Sequence, residues 1–150
     1  MSVFKLDNKV ALVTGGGSGI GKAISLLFSE QGAQVVILDR NESESQEVLR
    51  EIEAGDGSGM FLACDVSQGE NVNRVVEQVI KQFGRIDILV NNAGIAHVGN
   101  VEKTSEEDLD RVYNVNVKGV YHCTRAVIPS MVEQGGGVIA NLASIASKIG

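Results

Sequence analysis

The chain has 150 residues, 43% hydrophobic and 21% charged, enough apolar material for one packed core and too much for a disordered segment. A formal net charge of −6 argues against a nucleic-acid-binding surface, which needs clustered Lys and Arg to replace phosphate counterions. Residues 1–9 lack the apolar stretch of a secretory leader, and no later run is both long and free of Gly and charge, so the expected location is the cytoplasm, with no membrane partner.

Residues 9–13 are an apolar run closed by Thr14 and Gly15, which predicts a strand buried on both faces. After a glycine-rich turn, Ile20, Ala23, Ile24, Leu27 and Phe28 recur at helical spacing, and Gly32 predicts where that helix stops. Residues 34–38, closed by Asp39, predict a second strand, and residues 42–53 a helix with Val48, Leu49 and Ile52 on one face. Residues 54–59 read as a surface turn. A third strand over 60–64 ends at Asp65, and Ser67 and Glu70 have the spacing of a capping box. The helix they open carries Val72, Val75, Val76, Val79, Ile80 and Phe83 and ends at Gly84.

A fourth strand over 86–90 runs into Asn91-Asn92-Ala93-Gly94. Thr104 and Glu107 repeat the capping-box spacing, and one long helix is predicted through Leu109, Val112, Val115, Val120 and Ile128 to Met131, before Gly135-Gly136-Gly137 breaks it. A fifth strand over 138–142 leads to Ala143 and Ser144. Strands alternating with helices define an α/β protein, a Rossmann-type doubly wound parallel sheet of five strands that is incomplete at its C-terminus. No repeat or linker divides residues 1–150, which are read as one dinucleotide-binding domain.

Polar or glycine residues close every strand, and in such sheets the ligand crevice lies outside the carboxyl ends of the strands. Gly15-Gly16-Gly17-Ser18-Gly19-Ile20-Gly21 joins the first strand to the first helix. A helix N-terminus offers unpaired N–H groups and a positive dipole end, so a pyrophosphate fits there if side chains do not block it. Residues 16–22 also match G-x-x-x-x-G-K, most of a nucleoside-triphosphate loop. Ala23 follows, however, where that loop needs a Ser or Thr oxygen for Mg²⁺. Asp39 stands 24 residues after Gly15, near the spacing at which an acid accepts hydrogen bonds from the adenosine ribose. A carboxylate there repels a 2′-phosphate, so the expected cofactor is NAD rather than NADP. Arg40 is the counter-argument, since its guanidinium could bind that phosphate. Asp39 has a plainer alternative as a solvated helix cap.

Cys64 and Cys123 lie far apart, as do His97 and His122, and none has a neighbour at metal-ligand spacing. No metal is expected, and the cysteines read as small buried residues.

Together these residues resemble the short-chain dehydrogenase/reductase family. Thr14-Gly15-Gly16-Gly17-Ser18-Gly19-Ile20-Gly21 is similar to its T-G-x-x-x-G-x-G loop, Asp65-Val66 to its adenine-contacting pair, and Asn92-Ala93-Gly94 with Asn91 to its N-N-A-G motif. Asn116 resembles the family's catalytic Asn, which interrupts its helix and holds a water on the proton-relay path. Ser144 resembles the catalytic Ser that hydrogen-bonds the substrate oxygen. The resemblance implies hydride transfer between NAD and a secondary alcohol or ketone, and a homotetramer built on the long helix. The family's general acid/base is Tyr-x-x-x-Lys. Tyr113 is followed at that spacing by Val117 and Tyr121 by Arg125, while Ser144 and Lys148 share the spacing without the chemistry. The expectation is therefore that the intact protein continues beyond Gly150, and that residues 1–150 alone are inactive. A non-catalytic dinucleotide-binding module is the alternative if the chain ends there.

Overall fold

The structure, a computed structural model, describes residues 4–144. Five strands, β1 (Val10–Thr14), β2 (Gln34–Asp39), β3 (Ser58–Ala63), β4 (Ile88–Asn91) and β5 (Val138–Asn141), form one sheet in the order β3-β2-β1-β4-β5. Every pairing is parallel, with Leu12 opposite both Val36 and Leu89. The order reverses direction between β1 and β4, which puts the switch point at the end of the central strand.

Alternation along the strands sorts the core into two layers. Leu12, Val36, Leu38 and Leu89 pack against α3 (Gly69–Phe83) and α5 (Gly119–Glu133). Ala11, Val13, Val35, Ile37 and Val90 pack on the other face against α1 (Gly19–Glu30) and α2 (Glu42–Ala54). All five residues of β1 are buried, as its apolar run requires. At the opposite end of the sheet from the glycine loop, the buried Asp87 carboxylate accepts from the Val10 amide at 2.9 Å and from Arg85 Nε at 2.9 Å. That ties the start of β1 to the chain entering β4.

Several local expectations shift. The predicted capping pair Ser67 and Glu70 does not form: Gln68 is the N-cap of α3, without a side-chain cap, because the Ser67 hydroxyl is committed to Asp65 Oδ1 at 2.6 Å. The second capping box forms one residue later than predicted, between Ser105 and Asp108 at the start of α4 (Glu106–Tyr113). Ser105 places its hydroxyl on Asp108, which with the neighbouring charges holds that carboxyl below its ordinary range. The long helix is continuous but not uniform, since a π segment (Asn114–Lys118) joins α4 to α5. β3 begins at Ser58, so the turn before it is shorter than residues 54–59, while β4 begins two residues after the predicted start. On α1 the predicted stripe holds at Ile24 and Phe28, which pack on the sheet, but Ile20 and Leu27 are exposed, whereas Gly21 and Ser25 are buried. The helix lies so close to the glycine loop that only small residues fit between, and the Ser25 hydroxyl donates to the Gly16 carbonyl. Among the described residues no helix is long and apolar enough to cross a membrane.

Candidate functional site

The carboxyl ends of β1 to β4 open onto a cleft of about 370 Å³ lined by Gly15, Ser18, Ile20, Asp39, Arg40, Asp65, Val66, Asn92, Ala93 and Gly94, with Leu38, Cys64, Ile95 and Val115 as its apolar floor and wall. Ser18 is the N-cap of α1 but makes no side-chain capping hydrogen bond. The first-turn amides therefore face the cleft without a side-chain partner. Gly19 has φ +52° and nothing within 4 Å of where a Cβ would stand, so the approach to those amides is open. Gly21 is small for the opposite reason: a Cβ there would lie 2.0 Å from the Gly15 carbonyl oxygen. The glycine loop can sit on its own helix only with hydrogen at that position.

Thr14 is predicted as a cofactor residue, yet it is 1% exposed and lies behind the cleft wall. Its Oγ1 accepts from the Asn92 and Ala93 amides, both at 3.0 Å, and donates to the Val90 carbonyl. Asn92 answers by donating from Nδ2 to the carbonyls of Thr14 and Gly15 at 3.0 Å. This ring of bonds locks the glycine loop to Asn92-Ala93-Gly94 across two neighbouring strands.

Asp39 ends β2 with Oδ2 accepting from the Gly17 amide and Oδ1 from the Asn41 amide, each at 3.0 Å. It is not the cap of α2; Asn41 is, accepting from the Glu44 amide. Each carboxylate oxygen of Asp39 keeps further acceptor capacity at the cleft wall. Asp65 is held more tightly. Its Oδ1 accepts from the Ser67 amide and hydroxyl, its own amide donates to Asn71 Oδ1 at 2.7 Å, and its Oδ2 lies 3.8 Å from Arg40 Nε. Val66 is fixed from behind by His122 of α5, whose Nδ1 is 2.9 Å from the Val66 carbonyl oxygen. No sequence pattern announced that contact. Burial, with the Asp65 charge beside it, pushes the Cys64 thiol up to about 11, and burial pushes Cys123 up to about 12. Both stay protonated, and Cys64 serves as an apolar surface.

Asn116 sits in the π segment, outside the cleft lining, with Nδ2 donating to the Ile95 carbonyl and Oδ1 accepting from the Ile95 amide, both at 2.8 Å. Ser144 is exposed beyond β5 and is not among the cleft-lining residues. Neither Tyr113 nor Tyr121 lines the cleft, and Lys148 lies outside the described residues. Among the described residues no group of His, Cys, Asp or Glu is placed to hold a metal.

Fold and cleft together define a nucleotide-binding α/β protein of the doubly wound type, open at the switch point beside a glycine-lined helix start. Residues 9–150 match the model of the short chain dehydrogenase family, and the chain belongs to the short-chain dehydrogenase/reductase family. It is 45% identical over 144 residues to an uncharacterized oxidoreductase of Thermotoga maritima, covering 96% of this chain and 57% of that protein. It is 39% identical over 146 residues to a D-threitol dehydrogenase of Mycolicibacterium smegmatis, covering 97% and 56%. The crystal structure of an NAD⁺-bound xylitol dehydrogenase superposes with a TM-score of 0.93 at 35% identity, over 98% of this chain and 57% of that one. The chain thus spans little more than half the length of the relatives it matches.

Proposed function

We propose that the protein is an NAD-dependent oxidoreductase that transfers hydride between the nicotinamide and a secondary alcohol or ketone. One observation carries the cofactor choice: Asp39 Oδ2 stands 3.0 Å from the Gly17 amide, a fixed negative charge one strand away from the open N-terminus of α1. The residues fit the dinucleotide. The first-turn amides beyond Ser18 would take its diphosphate, Asp39 its ribose hydroxyls, and Asp65 with Val66 its adenine. When bound, the cofactor supplies the hydride chemistry.

The chain's own residues then position and polarise. Asn116, through Ile95, holds the cleft wall next to Gly94. Ser144 would hydrogen-bond the substrate oxygen, whereas Tyr113 and Tyr121, each without a Lys four residues on, do not supply the family's Tyr-x-x-x-Lys acid/base. Relatives named as D-threitol and xylitol dehydrogenases support an alcohol as the substrate class. We place the enzyme in the cytoplasm as a homotetramer, and residues 1–150 alone would bind NAD without turnover. The test is kcat/KM with NAD and NADP on the intact protein. At least a tenfold preference for NAD, about 1.4 kcal/mol, is expected; an equal or reversed preference would overturn the cofactor assignment.

A further inference from the structure

Repulsion by Asp39 accounts for one side of a discrimination against a 2′-phosphate, and the neighbouring cation, Arg40, is the other side. Arg40 is the cleft's own basic residue, its side chain is 72% exposed, and it follows directly on the strand end where the ribose would lie. Its Nε lies 3.8 Å from Asp65 Oδ2, across the gap between the ends of β2 and β3. The acid it leans on is not a mobile surface carboxylate. Ser67 takes Asp65 Oδ1 with both its amide and its hydroxyl, at 3.0 and 2.6 Å, and Asn71 takes the Asp65 amide at 2.7 Å. The two Ser67 bonds occupy one carboxylate oxygen and leave the other, 3.8 Å from Arg40 Nε, as the anion that faces the cation.

We propose that Asp65 is a specificity-determining residue that acts through Arg40, tethering its guanidinium on the β3 side of the cleft and away from the ribose 2′-position. This rests on the cofactor reading above. Discrimination against a 2′-phosphate then has two parts: repulsion by Asp39 and sequestration of the cation that would otherwise offset it.

The probes are 5′-AMP and adenosine 2′,5′-bisphosphate, which differ only in the 2′-phosphate, titrated calorimetrically into the intact protein and its variants. The readout is the ratio of their dissociation constants, in which any loss of adenine contact at Asp65 cancels. Asp65→Asn keeps an acceptor for Ser67 and removes the charge facing Arg40. It should raise relative affinity for the bisphosphate about fivefold, the scale of one exposed ion pair. The gain should vanish in Asp65→Asn/Arg40→Ala. Arg40→Ala alone, at an exposed position where folding is not at stake, should leave the ratio within about twofold of wild type, because a tethered guanidinium does not serve the phosphate. An unchanged ratio in Asp65→Asn, a gain that persists without Arg40, or a several-fold fall in relative bisphosphate affinity in Arg40→Ala would each overturn the proposal alone. A wild type that binds neither probe nor NAD would overturn the cofactor reading, and this proposal with it.

Discussion

Asn116 and Ile95 are 21 residues apart and share two hydrogen bonds of 2.8 Å, the side-chain amide of one closing on the backbone of the other. The bonds cross from the π segment of the long helix to the loop that leaves β4, so a widened helical turn and a cleft wall hold each other in place. A π segment is a strained way to run a helix and persists where a side chain must be turned to a task. Asn116→Ala should cost about 1 kcal/mol of stability and abolish hydrogen-exchange protection of the Ile95 amide. Unchanged protection in the variant would show that the loop holds itself.

Thr14 offers a sharper test, because its hydroxyl serves two amides in a fully buried setting. Thr14→Val removes the oxygen at constant shape and leaves the Asn92 and Ala93 amides without it. The expected loss in urea denaturation is roughly 2–4 kcal/mol, with Thr14→Ser close to wild type.

The glycine loop separates packing from approach. Gly21→Ala would drive a Cβ to 2.0 Å from the Gly15 carbonyl, so the variant should be unfolded or destabilised by more than about 3 kcal/mol in thermal melts. Gly19→Ala meets open space and pays only for its φ of +52°, about 1–2 kcal/mol. It should fold, while its methyl group weakens NAD binding about tenfold or more by calorimetry.

Acid stability turns on Asp87. Burial pushes its carboxyl up, but the Arg85 hydrogen bond, the Val10 amide and the charges of Arg85 and Lys9 outweigh burial and hold it below the ordinary range. A depressed folded-state pKa means that its contribution is complete above the unfolded value, about 3.9, and is lost as pH falls through the lower folded value. Urea midpoints between pH 6 and pH 2 should therefore fall less steeply in Asp87→Asn than in wild type. Parallel curves would assign the acid limb to other carboxylates.

The fold was legible because each strand is a short apolar run with a polar or glycine end, and each helix repeats apolar residues every three or four positions. Both signals follow from a sheet covered on two faces. The stripe of α1 misled because the pattern of Ile20, Ala23 and Leu27 carries no information on how closely the glycine loop approaches, which selects Gly21 and Ser25 for the inner face. Capping boxes were misplaced where a second oxygen competed, as Asp65 does for Ser67. Ten of the residues expected at the cofactor site line one cleft, because strand ends in a parallel sheet converge whatever their spacing in the chain. His122 and Ile95 were invisible, since the imidazole of one meets the Val66 backbone and the backbone of the other meets the Asn116 side chain only where long-range packing brings them together. The catalytic roles that the resemblance implies for Asn116 and Ser144 have no counterpart in that lining, since neither residue lines the cleft.

Where the dinucleotide sits is decided by an amide-resolved NMR titration of the chain with NAD. Saturable shifts should concentrate on the amides of Gly15, Ser18, Gly19, Ile20 and Gly21 and on Asp39, with weaker effects at the same sites from NADP. Shifts centred elsewhere, or none at saturating NAD in a folded sample, would contradict the proposed site.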